Sequence, residues 1–304
     1  MYEKVIDFHL KSAPILEQII EKKISSRAII IEGKKGLGKK DLILSLSGKI
    51  LSSYDKVKRN IHPDFLLIDS VEENILVDDI DSIDQWVDRP PFESENKIIF
   101  INNSHNMGDI VQNKLLKLLE EPPSYLILFL SVNNVNILLP TVRSRCLTFQ
   151  LTKLPDSLIS EIISDEIDSN YKSIIIESLD GSMRNIDFFN GSNCSKLYEL
   201  SGYLIERNIQ DLEIINNLIE ELINETNQTF LIEELSSIIM VRLKKFIESK
   251  SINEKNIESI INLINELSSL SINIKKYNLN IKLSFEELIL NYFLKDRKSV
   301  NQVV

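Results

Sequence analysis

The stretch Ala28–Lys40, AIIIEGKKGLGKK, decides how the first half of this chain folds. Ala28–Ile31 is short, apolar and mostly β-branched, which predicts a buried strand. Gly33 to Lys39 then fits G-x-x-x-x-G-K, the loop whose backbone N–H groups and lysine cradle phosphates ahead of a helix. The helix expected next is Asp41–Leu51. The motif fails at its last position. A Ser or Thr hydroxyl belongs there, because it ligates the magnesium ion on a nucleotide. This chain has Lys40 instead. Two unit charges ~4 Å apart repel by roughly 4 kcal/mol at an effective dielectric near 20, so a cation is disfavoured there unless Lys40 swings out to solvent.

A second position points the same way. Lys97–Ile101 (KIIFI) reads as another buried strand. An ATPase strand of this kind ends in Asp-Glu, one carboxylate for magnesium and one to orient water. Here it runs into Asn102, Asn103, Ser104 and His105. Asparagine accepts hydrogen bonds but offers a metal no charge and is no base. The residues therefore predict a nucleotide site that does not hydrolyse. Gly33, Gly36 and Gly38 with Lys39 could still cradle phosphates without turnover, and that reading stays open.

Further strands are expected at Phe65–Ile68, Tyr125–Leu130 and Leu147–Leu151, with helices at Val77–Val87, Ile110–Glu121 and Ile137–Ser144. Such alternation predicts a doubly wound parallel sheet. Past Thr152 the strand signals fade. Leu154–Phe189 reads as a small helical region, and the remainder as amphipathic helices such as Leu212–Ile223 and Ile257–Leu270. The expected division is a core at 1–151, a small helical domain at 152–192 and a helical C-terminal domain at 193–304, with a linker near Asn190–Ser195.

At 304 residues and 43% hydrophobic content the chain is long enough for two or three cored domains. No apolar run approaches the ~20 residues needed to span a bilayer. The opening MYEKVIDFHLKS has no signal-peptide core. Two cysteines, Cys146 and Cys194, give neither a disulfide framework nor a four-cysteine zinc site. A cytoplasmic location and no metal are expected. A net charge of −10 argues against autonomous DNA binding, which needs a basic face. His62 and His105 lack partners at metal or triad spacing and read as structural.

Asn113–Pro123 reads NKLLKLLEEPP, and Leu139–Cys146 reads LPTVRSRC. With these two motifs in this order, the sequence resembles the clamp-loader branch of the AAA+ proteins, whose members carry N-x-L-L-K-x-L-E-E-P followed by L-P-T-I-x-S-R-C. Within that branch it is most similar to the delta-prime group of bacterial DNA polymerase III. Tyr277–Leu290 (YNLNIKLSFEELIL) resembles the group's closing N-x-N-x-x-L-x-x-E-x-L-L pattern. Departures exist. Motor subunits, and many delta-prime subunits, carry a cysteine-rich zinc module after the phosphate-loop helix. This chain has Ser52, Ser53 and Tyr54 where those cysteines would begin.

The resemblance implies an inactive AAA+ core, a helical lid and a helical collar that joins a five-membered ring. It implies a non-catalytic stator working with gamma/tau motor subunits and the delta subunit to set the sliding clamp on primed DNA. In relatives the arginine of Ser-Arg-Cys is an arginine finger that reaches a neighbour's γ-phosphate, which assigns that role to Arg145 with Ser144 in support. Arg143 is a weaker candidate. Arg184 lies where a second nucleotide-sensing arginine is often found, and Lys117 could face DNA; for both, an ordinary structural or solvated role is the competing reading. Two other readings compete: an active motor ATPase with an unusual site, and an AAA+-fold adaptor outside replication.

Overall fold

A computed structural model describes residues 2–12, 28–69, 75–163, 167–189, 193–225, 228–249 and 254–300. The chain divides into two compact units. One comprises Met1–Leu158 with Ser182–Arg184, the other Ile159–Gly181 with Asn185–Val304.

The first unit is built on strands β1 (Ala28–Glu32), β2 (Phe65–Asp69), β3 (Lys97–Asn102), β4 (Leu126–Val132) and β5 (Leu147–Gln150). They form one five-stranded sheet in the order β2-β3-β4-β1-β5, with every pair parallel. Every residue of β3 and β4 is buried, as expected where helices cover both faces of a parallel sheet. Edge strand β5 instead alternates half-buried and exposed positions. The register matters for function. Asp69 pairs with Asn102, and Glu32 pairs with Val132 and Gln150, so the carboxyl ends of adjacent strands finish level. Open α/β sheets bind their ligands at such ends.

Among the described residues this unit carries the helices α1 (Tyr2–Ser12), α2 (Lys39–Ile50), α3 (Tyr54–Lys58), α4 (Val77–Val87), α5 (Asp109–Glu120) and α6 (Pro140–Arg143). Leu42, Ile43 and Leu46 of α2 are fully buried. On the sheet, Ile83 from α4 and Val111 and Leu115 from α5 join Ile99, Ile101, Leu128 and Leu130 in one apolar cluster. Helix α1, which the sequence reading did not anticipate, buries Val5 and Leu10. The helix expected over Ile137–Ser144 is a 3₁₀ turn at Val135–Ile137 followed by α6. Pro140 has no N–H to donate and disfavours helical backbone in Leu139, so the α-helix begins at the proline.

Two local features shape the far edge. Asp64 is fully buried and accepts hydrogen bonds from the backbone N–H groups of Phe92, Glu93 and Ser94 at 2.6, 2.7 and 2.9 Å. Around Ser52–Tyr54, α2 and α3 meet closely. A Cβ on Gly48 would lie 2.8 Å from Tyr54 Cα, Ser53 N donates to Gly48 O at 2.9 Å, and Val57 is fully buried.

The second unit is helical. Helix α7 (Asp156–Ile162) spans the division, followed by α8 (Ser169–Leu179), α9 (Asn193–Glu206), α10 (Leu212–Glu225), α11 (Gln228–Glu248), α12 (Glu254–Tyr277) and α13 (Ile281–Val300). Each long helix buries apolar residues at helical spacing, as in Leu197, Leu200 and Leu204 or Ile215, Ile219 and Leu222. Between α9 and α11, Arg242 lies over the Tyr198 ring at 4.2 Å and donates to Tyr198 O and Ser201 Oγ at 2.6 and 2.8 Å. Residues 193–195, expected within a linker, form the first turn of α9, and 190–192 lie outside the described residues. The division seen falls at 158/159; separating a lid at 152–192 from a collar at 193–304 is part of the functional reading below. Among the described residues, no helix is long and apolar enough to cross a membrane.

Candidate nucleotide-loop and arginine site

The glycine loop leaves β1 at the carboxyl edge of the sheet, and Gly33 N donates to Val132 O of the neighbouring strand at 3.1 Å. Gly36 has φ +87°, and a Cβ there would lie 2.2 Å from Arg184 N, so only glycine fits. Gly36 O accepts from Met183 N at 2.8 Å. Residues 182–184 thus press their backbone onto the loop. His9 Nε2 lies 2.8 Å from Leu37 O, which makes that nitrogen an N–H donor, and burial lowers the imidazole's pKa. Gly38 (φ +74°) caps α2, and Lys39 is its first residue.

Lys39 is 8% exposed and turned back onto its own loop. Its ammonium donates to Gly33 O at 2.5 Å, Lys34 O at 3.0 Å and Asn133 Oδ1 at 2.9 Å. Burial lowers its pKa to about 8. Three acceptors match the three donors of an ammonium. The loop therefore uses internally the charge that would meet a phosphate. Asn133 also approaches His105, Nδ2 to Nε2 at 3.5 Å, and burial followed by the Lys39 charge lowers the pKa of that imidazole.

Lys40 pairs with Asp69 Oδ2 at 2.5 Å at the end of β2. The other oxygen, Oδ1, accepts from Asn102 Nδ2 at 2.7 Å. Asn102 Oδ1 in turn accepts from Ser131 Oγ at 2.6 Å, and Ser131 Oγ accepts from Asn103 N at 3.0 Å. The chain Lys40–Asp69–Asn102–Ser131 runs along the carboxyl ends of β2, β3 and β4. The residue that offers a hydroxyl to magnesium in the motif is here a cation with its own carboxylate. These residues do not fit a magnesium–nucleotide complex. Among the described residues, no group of three or more His, Cys, Asp or Glu is arranged to hold a metal ion. The sequence reading missed Asp69 and Ser131. The sequence marks Asp69 only as the lone carboxylate ending the apolar run FLLID; that it finishes level with Asn102 comes from the strand register.

The second group is the arginine loop after α6. Ser144 Oγ donates to Thr141 O at 3.1 Å, and Arg145 Nη1 donates to the same carbonyl at 2.9 Å. Arg145 Nη2 donates to Glu120 Oε1 at 2.6 Å, with the two side chains 34% and 51% exposed. Arg143 Nη1 donates to Asn136 Oδ1 at 2.8 Å, inside the loop. Buried Gln112 accepts from Leu139 N at 2.7 Å and donates to Met107 O at 2.9 Å. Lys117 is exposed on α5. Thus Lys39 gathers onto Gly33, and Ser144 and Arg145 share Thr141 O. Among the described residues, no hydrogen bond or ion pair joins these two groups.

A phosphate-loop strand inside a 2-3-4-1-5 parallel sheet, flanked by β4 and β5, with a helical region after it in the chain, defines an AAA+-type fold. The sequence model of the family described as DNA polymerase III, delta subunit, matches residues 9–155. The delta-prime subunit of DNA polymerase III from Buchnera aphidicola subsp. Schizaphis graminum is 30% identical over 164 residues, covering 49% of this chain and 47% of that protein. The Bacillus subtilis delta-prime subunit is 28% identical over 207 residues, covering 61% of this chain and 63% of that protein. The match thus spans less than two-thirds of either relative. A gamma subunit-related protein from Thermotoga maritima shares the fold, with TM-score 0.57, 19% identity, and coverage of 91% of this chain and 98% of that one. Over residues 9–155 the chain is thus similar to DNA polymerase III delta- and delta-prime-type subunits.

Proposed function

We propose that this chain is the non-catalytic, delta-prime-type stator of a bacterial replicative clamp loader. The observation that carries the reading is the Lys40–Asp69–Asn102 chain, which puts a neutralised ammonium where a working site needs a magnesium ligand. No residue at the end of β3 offers a base for water, since Asn102 and Asn103 stand where carboxylates would. No intrinsic ATPase activity, no bound zinc and a cytoplasmic location belong to this reading. Its partners would be gamma/tau motor subunits and the delta subunit, and through them the sliding clamp and primed DNA. Residues 152–192 would act as the lid and 193–304 as the collar that joins the ring. The chain's own chemical contribution would be Arg145, offered in trans to a neighbour's γ-phosphate with Ser144 bracing the same turn.

The test is ATP turnover by motor subunits reconstituted with delta, the clamp and primed DNA, adding this protein as wild type or Arg145→Ala. The protein alone is expected to be inert. The variant is expected to assemble but lose on the order of 10³-fold at the site it completes, as arginine fingers do. Hydrolysis by the isolated protein would overturn the reading of Lys40, Asn102 and Asn103. A variant as active as wild type would leave Arg145 structural.

A further inference from the structure

The two signature stretches of this chain, NKLLKLLEEPP and LPTVRSRC, are separate in sequence but joined in the structure by side chains of one helix. Helix α5 grips the arginine loop at both ends. Near its start, buried Gln112 takes the N–H of Leu139, the residue before α6. At its last residue, Glu120 takes Nη2 of Arg145 at 2.6 Å. These positions lie eight residues apart, about 12 Å along a helix, so a single rigid element spans the loop. Gln112 fixes where the loop begins. Glu120 fixes where its arginine points.

We propose that Glu120 is a positioning residue for Arg145. This rests on the reading of Arg145 as a finger and names what aims it. The guanidinium is held by two acceptors, one on each terminal nitrogen: Thr141 O and Glu120 Oε1. Two anchors fix the plane of a rigid fork, where one would leave it free to swivel. Three of its five N–H donors remain for a phosphate. The order of a long, half-exposed side chain is thereby established before any partner arrives.

Helix stability does not account for Glu120. A carboxylate in the last turn faces the negative end of the helix dipole, where a cation is preferred. Nor is a half-exposed ion pair worth much to folding by itself. The carboxylate sits at a helically unfavourable position, and its recorded partner is the arginine of the second motif.

The experiment is a double-mutant cycle in the reconstituted ring, reading steady-state kcat and KM for ATP. The variants are Arg145→Ala, Glu120→Ala, Glu120→Gln, the Glu120→Ala/Arg145→Ala pair, and Glu121→Ala as the adjacent-carboxylate control. Glu120→Ala is expected to lower kcat about ten-fold with KM unchanged, the pattern of an interaction made in the transition state. Glu120→Gln keeps an acceptor at the same reach and should recover part of that loss. The pair should be no worse than Arg145→Ala alone, and Glu121→Ala should match wild type. A further loss from Glu120→Ala in the Arg145→Ala background would overturn the proposal, because Glu120 would then act elsewhere. So would wild-type kcat in both Glu120 variants. If Arg145→Ala itself has no effect, the finger reading fails, and that result is distinct from either. Co-elution of each variant with the ring separates lost turnover from lost assembly.

Discussion

Lys39 carries the electrostatic tension of the site. Its ammonium is buried and its pKa is lowered to about 8, against about 10.4 in an unfolded chain. Between those values the unfolded state binds the extra proton, so folding stability rises with pH across that window and is flat below it. Lys39→Met is expected to flatten the rise, a difference of up to about 3 kcal/mol between pH 7 and pH 10.5. Denaturant titrations of both proteins at several pH values would check it. A slope unchanged by the substitution would mean that the three oxygens around Nζ offset the burial. Lys40 is the opposite case. It is 44% exposed, so its pair with Asp69 shapes the site while adding little to stability. Its failure as a metal ligand was legible from residue type, but its partner was not. Pairing with Asp69 depends on β2 and β3 finishing level, and register is invisible to local pattern.

At the level of elements, the sequence revealed whatever rested on strong local signals. The buried strands, the glycine loop and the α5 stop before Pro122-Pro123 all appear within a residue or two of their expected places. Elements whose order depends on distant partners were harder to read. Helix α1 is held by contacts such as His9 to Leu37 O, and α9 opens on residues that look like a linker until Arg242 is seen anchoring its Tyr198 and Ser201. Arg184 was singled out for its side chain, whereas the structure places residues 182–184 against the loop through their backbone. That contact tests readily. Gly36→Ala meets both a positive φ and a Cβ 2.2 Å from Arg184 N. The substitution should cost at least about 1–2 kcal/mol. Hydrogen exchange should speed up at Met183 N, the donor to Gly36 O. Unchanged protection there would show that the segment is held by something else.

Over the whole molecule, charge constrains what the chain does by itself. A net −10 sets up repulsion toward phosphate backbones, whatever local lysines face outward. The isolated chain is expected to leave primed DNA unbound at physiological salt, at or beyond the ~10⁻⁴ M end of non-specific binding. Fluorescence anisotropy would measure this directly. Micromolar binding that weakens steeply with added salt would reveal a basic surface that the overall charge conceals.

The meeting of α2 and α3 carries one more consequence. Here closure comes from the approach of Tyr54 to Gly48, whose missing side chain leaves the room. The closure is thus exposed to inheritance: a single nucleotide change that gave position 48 a methyl group would push Tyr54 away.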